Sequence, residues 1–184
     1  KQGVWGLKKS KKLLKFRYRT FILKGTVERS GGKLRSKTPK WREVKGVTGT
    51  YEHSIDGKGR LFIPAKLREE LGVTFYLAMG VDACLAIYPQ STWDRFTEKF
   101  SSLPMSQSKA MRPLFANAAK CELDSQGRIV IPQKLRRYAG LDKDVVIIGV
   151  HDRAEIWSAD AWAAQEEEEM TPEKMSACME ALGF

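Results

Sequence analysis

Residues 56–72 read DGKGRLFIPAKLREELG, and residues 124–140 read DSQGRIVIPQKLRRYAG. The two stretches align at a constant offset of 68 positions. The residues that are identical in both are Asp56 and Asp124, Gly59 and Gly127, Arg60 and Arg128, Ile63 and Ile131, Pro64 and Pro132, Lys66 and Lys134, Leu67 and Leu135, Arg68 and Arg136, and Gly72 and Gly140. Internal similarity of this kind indicates that one structural unit is used twice in the chain.

The start of each unit predicts a strand, a tight turn and a second strand. Residues 48–55 alternate between polar and apolar side chains, as a half-buried strand does. The glycines of residues 56–59 accept positive φ, so the chain can reverse tightly there. Residues 60–63 then predict a short strand with Leu61 and Ile63 on one face. We therefore expect a hairpin at the start of each copy.

A short helix and a second hairpin complete the predicted unit. Pro64 suits the first turn of a helix, and Gly72 suits its left-handed C-terminal cap. The strands expected in the second hairpin are residues 74–79 and 84–88 in the first copy, and residues 144–149 and 154–157 in the second. The match continues at an offset of 69 to the predicted N-caps of the next helices, Ser91 and Asp160.

Composition along the chain predicts five segments. They are residues 1–46, a basic extension that is disordered or non-native; 50–93, the first repeat; 94–117, a helical connector; 118–162, the second repeat; and 163–184, an acidic C-terminal helix and tail. The stripe formed by Trp93, Phe96 and Phe100 predicts a helix face in the core or at a subunit contact. Residues 106–117 predict a second helix, which Pro113 must kink or restart. Residues 160–181 predict one more helix, with residues 166–169 on a solvated acidic face.

The net charge of +10 is unevenly distributed. Residues 1–46 contain 16 Lys and Arg against 2 acidic residues, whereas residues 47–184 contain 16 against 20. The first segment is open to three interpretations: a nucleic-acid arm, a basic helix on a membrane surface, or a disordered extension. If native translation starts at Val47, residues 1–46 are not part of the native protein.

The cysteines and the hydropathy indicate the cellular compartment of the protein. Cys84, Cys121 and Cys178 are odd in number and widely spaced. This spacing argues against a disulfide framework and predicts three buried, inert thiols in a reducing compartment. Apolar runs stay well short of the roughly 20 residues that span a bilayer. We therefore expect a cytoplasmic protein with no membrane partner.

The sequence carries no catalytic constellation. Residues 57–60, GKGR, lack the Gly-Lys-Ser/Thr of a phosphate loop, and the motifs of serine hydrolases and zinc proteases are absent. His53 and its repeat partner Cys121 have no second ligand close by, which favours an interior-facing position over a metal site. Asp56 followed by Arg60 is typical of an Asx-turn with a local ion pair. We expect no enzyme activity, no metal and no cofactor.

Binding is the function that remains, and basic side chains mark the candidate surface. They are Lys58, Arg60, Lys66 and Arg68 in the first copy, and Arg128, Lys134, Arg136 and Arg137 in the second. Arginine suits both phosphate contacts and bidentate readout of guanine, and a two-stranded ribbon can enter the major groove. Patterning alone leaves open whether these charges bind DNA or only solvate a small barrel.

The repeated motif resembles the MraZ family of bacterial transcriptional regulators, which carry two SpoVT/AbrB-like domains in one chain. The resemblance rests on the Asp-x-x-x-Arg, Ile-Pro, Lys-Leu-Arg and Gly pattern, on YEHSIDGKGRLFIP at residues 51–64, and on VIIGV at residues 146–150. It covers residues 47–165. Residues 1–46 are outside the family pattern, whose usual beginning falls near Val47.

The resemblance implies a fold and a function. The fold is mainly β with helices (α+β), an AbrB-like swapped-hairpin or double-split β-barrel formed by two internal repeats, with flanking helices. The function is sequence-specific binding to short tandem repeats of double-stranded DNA in the promoter of the division and cell-wall gene cluster. Members form ring-shaped homo-oligomers, and such a protein would be associated with the nucleoid.

The resemblance also ranks the candidate DNA-binding residues. Arg60 is the position expected to matter most, and Arg128 follows as its repeat equivalent. The complete candidate set is Arg60, Lys58, Arg128, Asp56, Asp124, Lys66, Arg68, Lys134 and Arg136. Lys58 has Gln126 as its counterpart, which suggests that the two halves contact DNA unequally.

Two other functions stay open from the sequence. One is an antitoxin-like or structural oligomeric interaction module whose basic hairpins are only solvated and give no specific DNA readout. The other is RNA binding directed by the basic segment of residues 1–46, in which case removal of that segment would abolish binding.

Overall fold

The computed structural model describes residues 46–184, apart from the side chains of residues 105–107. The predictions for the basic segment of residues 1–46 therefore lie outside the described residues, apart from Gly46. The strands are β1 (Val47–Ser54), β2 (Arg60–Phe62), β3 (Thr74–Met79), β4 (Leu85–Pro89), β5 (Ala119–Glu122), β6 (Arg128–Val130), β7 (Asp144–His151) and β8 (Arg153–Ser158). The helices are α1 (Ala65–Leu71), α2 (Gln90–Ser101), α3 (Met105–Asn117), α4 (Gln133–Tyr138), α5 (Ala159–Glu169) and α6 (Pro172–Leu182).

The architecture is mixed α+β, with all strand pairs antiparallel among the described residues. One sheet has six strands in the order β1-β7-β8-β4-β3-β5, and β2 and β6 form a separate two-stranded sheet. The second hairpin of each copy, β3-β4 or β7-β8, forms as predicted. None of the helices in residues 46–184 has the length and apolar character needed to cross a bilayer.

Strands of one copy pair with strands of the other in both sheets. β1 of the first copy pairs with β7 of the second, and β5 of the second copy pairs with β3 of the first. β4 pairs with β8, and β2 pairs with β6. Because each copy completes its sheets with strands of the other, the two copies form one folding unit around a shared core.

The prediction of a hairpin at the start of each copy was wrong in its strand partners. The chain does reverse at residues 56–59, where the Asp56 N–H donates to the Arg60 carbonyl over 3.0 Å. β2, however, pairs along its length with β6 and not with β1. Of the two glycines in this turn, Gly59 has the positive φ, +75°. Local alternation identifies a strand but carries no information about which strand it pairs with.

The core is built from equivalent positions of the two copies. Leu61 and Ile63 are fully buried, as are their counterparts Ile129 and Ile131. The short helices α1 and α4 add one fully buried leucine each, Leu67 and Leu135. Burial of each such side chain contributes about 1.5–3 kcal/mol. The predicted inward face of the first stretch is thus confirmed, and the same face is used twice.

Two predictions about helix ends were wrong. Ser91 and Asp160 are not N-caps, because α2 and α5 begin earlier, after Pro89 and Ser158. The Ser158 hydroxyl accepts a hydrogen bond from the Ala161 N–H over 3.3 Å and caps α5. Asp160 lies instead in the first turn of α5, where its charge complements the helix dipole.

The single helix expected over residues 160–181 is two helices. α5 ends before Met170, and α6 begins at Pro172 with the Thr171 hydroxyl accepting from the Lys174 N–H. A residue that precedes proline is disfavoured in the helical region, so the chain breaks at Thr171. Residues 166–169 are all exposed, which confirms the predicted solvated acidic face.

The aromatic stripe of α2 was predicted to lie in the core or at a subunit contact, and the structure buries Trp93 and half-buries Phe96 and Phe100. The Trp93 ring stacks on Tyr76 of β3 with centroids 4.8 Å apart and is 7% exposed. Phe96 and Phe100 pack against Phe115 of α3, which thereby closes over the stripe. Pro113 lies within α3, and the helix continues through it to Asn117.

The turn between β3 and β4 places an alanine in an unfavourable conformation. Ala83 is exposed and has a φ of +57°, a region that glycine occupies freely and alanine does not. We expect Ala83→Gly to raise the free energy of unfolding by about 0.5–1 kcal/mol, measured by urea denaturation. The matched control is Ala110→Gly at an exposed position in the middle of α3, which should lower it by about 1 kcal/mol. A loss of stability in Ala83→Gly would contradict this account of the turn.

Candidate nucleic-acid interface

The candidate interface is the ribbon formed by β2 and β6. In its register Arg60 lies opposite Val130, Leu61 opposite Ile129, and Phe62 opposite Arg128. The middle pair faces the core, so the two arginines share the outer face with Phe62 and Val130. Arg60 and Arg128 occupy diagonal positions, and strand dimensions place their Cα atoms roughly 8 Å apart. Both can therefore enter one major groove, which is about 12 Å wide.

Two hydrogen bonds close the ribbon at its ends. The Ile63 N–H donates to the Gly127 carbonyl, and the Ile131 N–H donates to the Gly59 carbonyl, both over 2.9 Å. Each bond joins the end of one strand to the turn of the other copy. The two arginine-bearing turns are therefore held in fixed positions relative to each other.

The Asp56 carboxylate organises the first turn and orients its arginine. Oδ1 accepts from the backbone N–H groups of Lys58 and Arg60, both over 2.9 Å. Oδ2 lies 2.6 Å from Nε and from Nη2 of Arg60. Hydrogen bonds from the backbone N–H of Arg60, from the Arg60 side chain and from the backbone N–H of Lys58 lower the pKa of Asp56 below its ordinary value. The predicted Asx-turn with a local ion pair is confirmed.

The second turn repeats this arrangement. Oδ1 of Asp124 accepts from the backbone N–H groups of Gln126 and Arg128 over 2.8 and 2.9 Å, and Oδ2 lies 2.8 Å from Nε and Nη2 of Arg128. The Arg128 side chain is the largest cause of a fall in the pKa of Asp124 to about 2. The carboxylate is thus ionised, and the ion pair intact, at any pH near neutrality.

Each ion pair leaves part of its guanidinium free. Asp56 binds the edge of Arg60 that carries Nε and Nη2, and Nη1 has no hydrogen-bond partner among the described residues. The same holds for Arg128, and the two side chains are 30% and 26% exposed. The carboxylate therefore fixes the direction of each arginine while its outer end can still donate to a base or a phosphate.

Arg68 and Arg136 cross over to the turn of the other copy. The Arg68 guanidinium lies against Gly127, where Nη1 would be 2.7 Å from a Cβ atom on that residue. Arg136 lies in the same way against Gly59, where its Cζ would be 3.1 Å from a Cβ atom on that residue. The Nε atoms of both arginines are buried without a hydrogen-bond partner in the described residues. The sequence grouped these arginines with the turns of their own copies, and the structure exchanges them.

The lysines of the candidate set lie around this centre. Lys58 is at the tip of the first turn, while Lys66 and Lys134 are at the starts of α1 and α4, and all three are exposed. The second turn carries the uncharged Gln126 where the first carries Lys58. The two ends of the ribbon therefore have equivalent geometry and unequal charge.

Sequence reasoning did not single out the apolar side chains of the outer face. Phe62 is 38% exposed and Val130 is 61% exposed. The Phe62 ring lies 5.6 Å from the His53 ring and 5.4 Å from Cζ of Arg68. The signal was available, because a strand that buries Leu61 and Ile63 must turn Phe62 outward.

The cysteines and histidines form no reactive centre. Burial raises the pKa of the Cys84 thiol to about 12 and that of Cys121 to about 11, as expected for inert buried thiols. The prediction for Cys178 was wrong, because α6 leaves it exposed. Burial also lowers the pKa of His53. Within residues 46–184 no group of three His, Cys, Asp or Glu side chains is arranged to hold a metal ion.

An open cleft of about 680 Å³ lies between β1, β7 and α5. His53, Ser54 and Asp144 are among its lining residues, together with Trp162 and Glu166. Among the described residues no hydrogen bond joins the histidine, the serine and the aspartate, so the cleft contains no nucleophilic relay.

Comparison with known proteins identifies the family. A family model described as "MraZ protein", with the qualifier "antitoxin-like", matches the chain twice, over residues 47–112 and 114–179. These two matches cover well over half of the 184 residues. The chain belongs to the MraZ family. The match confirms the resemblance seen in the repeated motif.

Several curated MraZ proteins are similar over most of their length. The transcriptional regulator MraZ of Heliobacterium modesticaldum is 49% identical over 122 residues, 65% of this chain and 85% of the relative. That of Moorella thermoacetica is 51% identical over 117 residues, 62% of this chain and 82% of the relative. That of Symbiobacterium thermophilum is 48% identical over 139 residues, 74% of this chain and 99% of the relative. MraZ is thus a family of transcriptional regulators and not of enzymes, in agreement with the sequence interpretation.

The ion pair of the second turn makes a prediction about titration. The folded pKa of Asp124 is depressed to about 2, so the pair's contribution to stability is present above the ordinary value of 3.8 and is lost as the pH falls through about 2. We expect Arg128→Gln to raise the pKa of Asp124 toward its ordinary value, measured by NMR of the carboxyl carbon. Arg153→Gln, on β8, is the control and should leave it unchanged. An unchanged titration in Arg128→Gln would refute the assignment of the cause.

The crossed arginines make a prediction about stability. Gly127 and Gly140 both have positive φ, +75° and +57°, but only Gly127 has a guanidinium in the space of a Cβ atom. Gly140→Ala should destabilise by about 1–2 kcal/mol through its backbone alone. Gly127→Ala should lower the free energy of unfolding by more than this, because it also displaces Arg68.

A double-mutant cycle of Gly127→Ala with Arg68→Ala, followed by urea denaturation, isolates the second effect. We expect a coupling free energy of at least about 0.5 kcal/mol, as for residues in direct contact. Strictly additive effects would show that Arg68 does not pack on the second turn.

Proposed function

We propose that this chain is a sequence-specific DNA-binding regulator that uses the β2-β6 ribbon to read the major groove. The observation that carries the proposal is the pairing of two Asp-oriented arginines, Arg60 and Arg128, on one exposed face. Arginine that is held in one direction loses little freedom on binding and can donate two hydrogen bonds to guanine. The transcriptional role of the family agrees with this reading of the ribbon.

Around this ribbon we assign the other candidate residues to three roles. Lys58, Lys66 and Lys134 are exposed cations placed to contact phosphates, which would give affinity and register. Arg68 and Arg136 are half-buried and packed on the turns, so they act chiefly by positioning them. Asp56 and Asp124 orient the two reading arginines.

Charge supports action by several subunits together. Residues 47–184 contain 20 acidic against 16 basic residues, so a single ribbon attracts DNA weakly outside its own surface. Several ribbons joined in one homo-oligomer bind a DNA with repeated elements far more tightly than one ribbon does. We therefore propose a ring-shaped homo-oligomer on short tandem repeats, as the resemblance to the family implies.

The remaining parts of the proposal follow from the family. The exchanged strands of the two copies support an AbrB-like swapped-hairpin barrel. The targets would be promoter repeats of the division and cell-wall gene cluster, which would place the protein on the nucleoid. An antitoxin-like module that binds protein is the second candidate, favoured only by the qualifier of the family description.

The test is DNA binding by the full chain and its Arg60→Ala variant, measured by gel shift on the DNA upstream of its own gene. Loss of one bidentate contact costs about 1–3 kcal/mol, and the loss multiplies over the subunits that bind together. We expect the shift to disappear in Arg60→Ala and to persist in Arg112→Ala, which removes an exposed cation from α3.

Mass measurement must show that the variants keep the same assembly. A well-folded Arg60→Ala protein that binds as the unaltered chain does would overturn the proposal. Absence of DNA binding by the unaltered chain in moderate salt would favour the protein-binding module instead.

A further inference from the structure

The geometry points to Phe62 as a specificity-determining residue that contacts the 5-methyl group of a thymine. This inference rests on the proposed function and deepens it. Phe62 lies directly opposite Arg128 in the ribbon, on the same outer face. The backbones of the two residues are one strand spacing, about 4.8 Å, apart, which places Phe62 beside a base pair that Arg128 would read.

The structure holds this ring in a defined position without covering it. His53 lies on one side, with ring centroids 5.6 Å apart and planes inclined by 57°. The Arg68 guanidinium lies 5.4 Å from the ring centroid, within the range of a cation–π contact. Even so, 38% of Phe62 remains exposed. The ring is thus supported from within the protein and open toward the surface where the arginines end.

The chemistry of the major groove defines what this ring can recognise. Of the four bases, only thymine presents an apolar group there, its 5-methyl group, and an apolar side chain is its natural contact. Cytosine at the same position presents an amino donor that a phenyl ring would leave without a partner. A phenylalanine beside a reading arginine therefore selects a thymine adjacent to the guanine.

The second copy offers a smaller apolar side chain that lacks the same support. Its counterpart of Phe62 is Val130, and its counterpart of His53 is Cys121, so both the ring and its support are absent. The charged Lys58 of the first copy is likewise replaced by the uncharged Gln126 in the second. Because only one end of the ribbon carries the ring, each subunit has a preferred direction on DNA. Directional subunits side by side require elements that point the same way, which are tandem repeats.

The test begins with selection of duplexes from a randomised pool by the full chain. Each thymine of the enriched duplex is then replaced, one at a time, by deoxyuridine, which removes only the methyl group. Dissociation constants are compared for the unaltered chain, Phe62→Ala and Val130→Ala. Thermal unfolding checks that the variants, both at exposed positions, keep the native fold.

We expect one thymine in each element at which deoxyuridine weakens binding about four-fold, the factor for one methyl group in an apolar contact. The effect should persist in Val130→Ala and vanish in Phe62→Ala. A methyl effect that survives in Phe62→Ala, or no methyl effect at any thymine, would overturn the inference and leave the Arg60-dependent function standing. Failure to enrich any duplex would overturn the proposed function and this inference together.

Discussion

β2 pairs with β6, and this pairing sets the geometry of both arginine-bearing turns. It brings together strands whose residues are about seventy positions apart, and it is closed by reciprocal hydrogen bonds from Ile63 to Gly127 and from Ile131 to Gly59. Each strand therefore ends on the turn of the other copy. Without this exchange the two turns would have no fixed relation, and the arginines that they carry would not share a face.

A single carboxylate in each turn couples the backbone to the functional side chain. Asp56 and Asp124 use one oxygen for the backbone of the turn and the other for its arginine. The shape of the turn and the direction of the guanidinium are thus set by the same group. Arg68 and Arg136 add a second layer, because each packs on the turn that the other copy supplies.

The two copies carry similar residues in the core and different residues on the surface. Leu61 and Ile129 face the same core, and apolar residues of similar volume satisfy it from both sides. Lys58 and Gln126, or Phe62 and Val130, face solvent, where packing places no such demand. A duplicated scaffold can in this way present two unequal halves of a binding surface while its interior stays symmetric.

The local features of the chain were readable from its residues. Period-2 alternation, the Asx-turn, Pro64 at the helix start and the repeat itself all predicted elements that the structure contains. Some errors were avoidable: the proline after Thr171 marked the break between α5 and α6, and outward-facing Phe62 followed from buried Leu61 and Ile63. The exchange of Arg68 and Arg136 between the turns was not readable, because it depends on where the other copy lies.

The elements, their duplication and the chemistry of the arginine-bearing turns depend on residues within a few positions of one another, so they can be read from the chain without its fold. The pairing of β2 with β6, which places both arginines on one surface, depends on the folded protein. Strand partners are chosen through backbone groups, which are the same in every strand, and through the packing of side chains far apart in the chain.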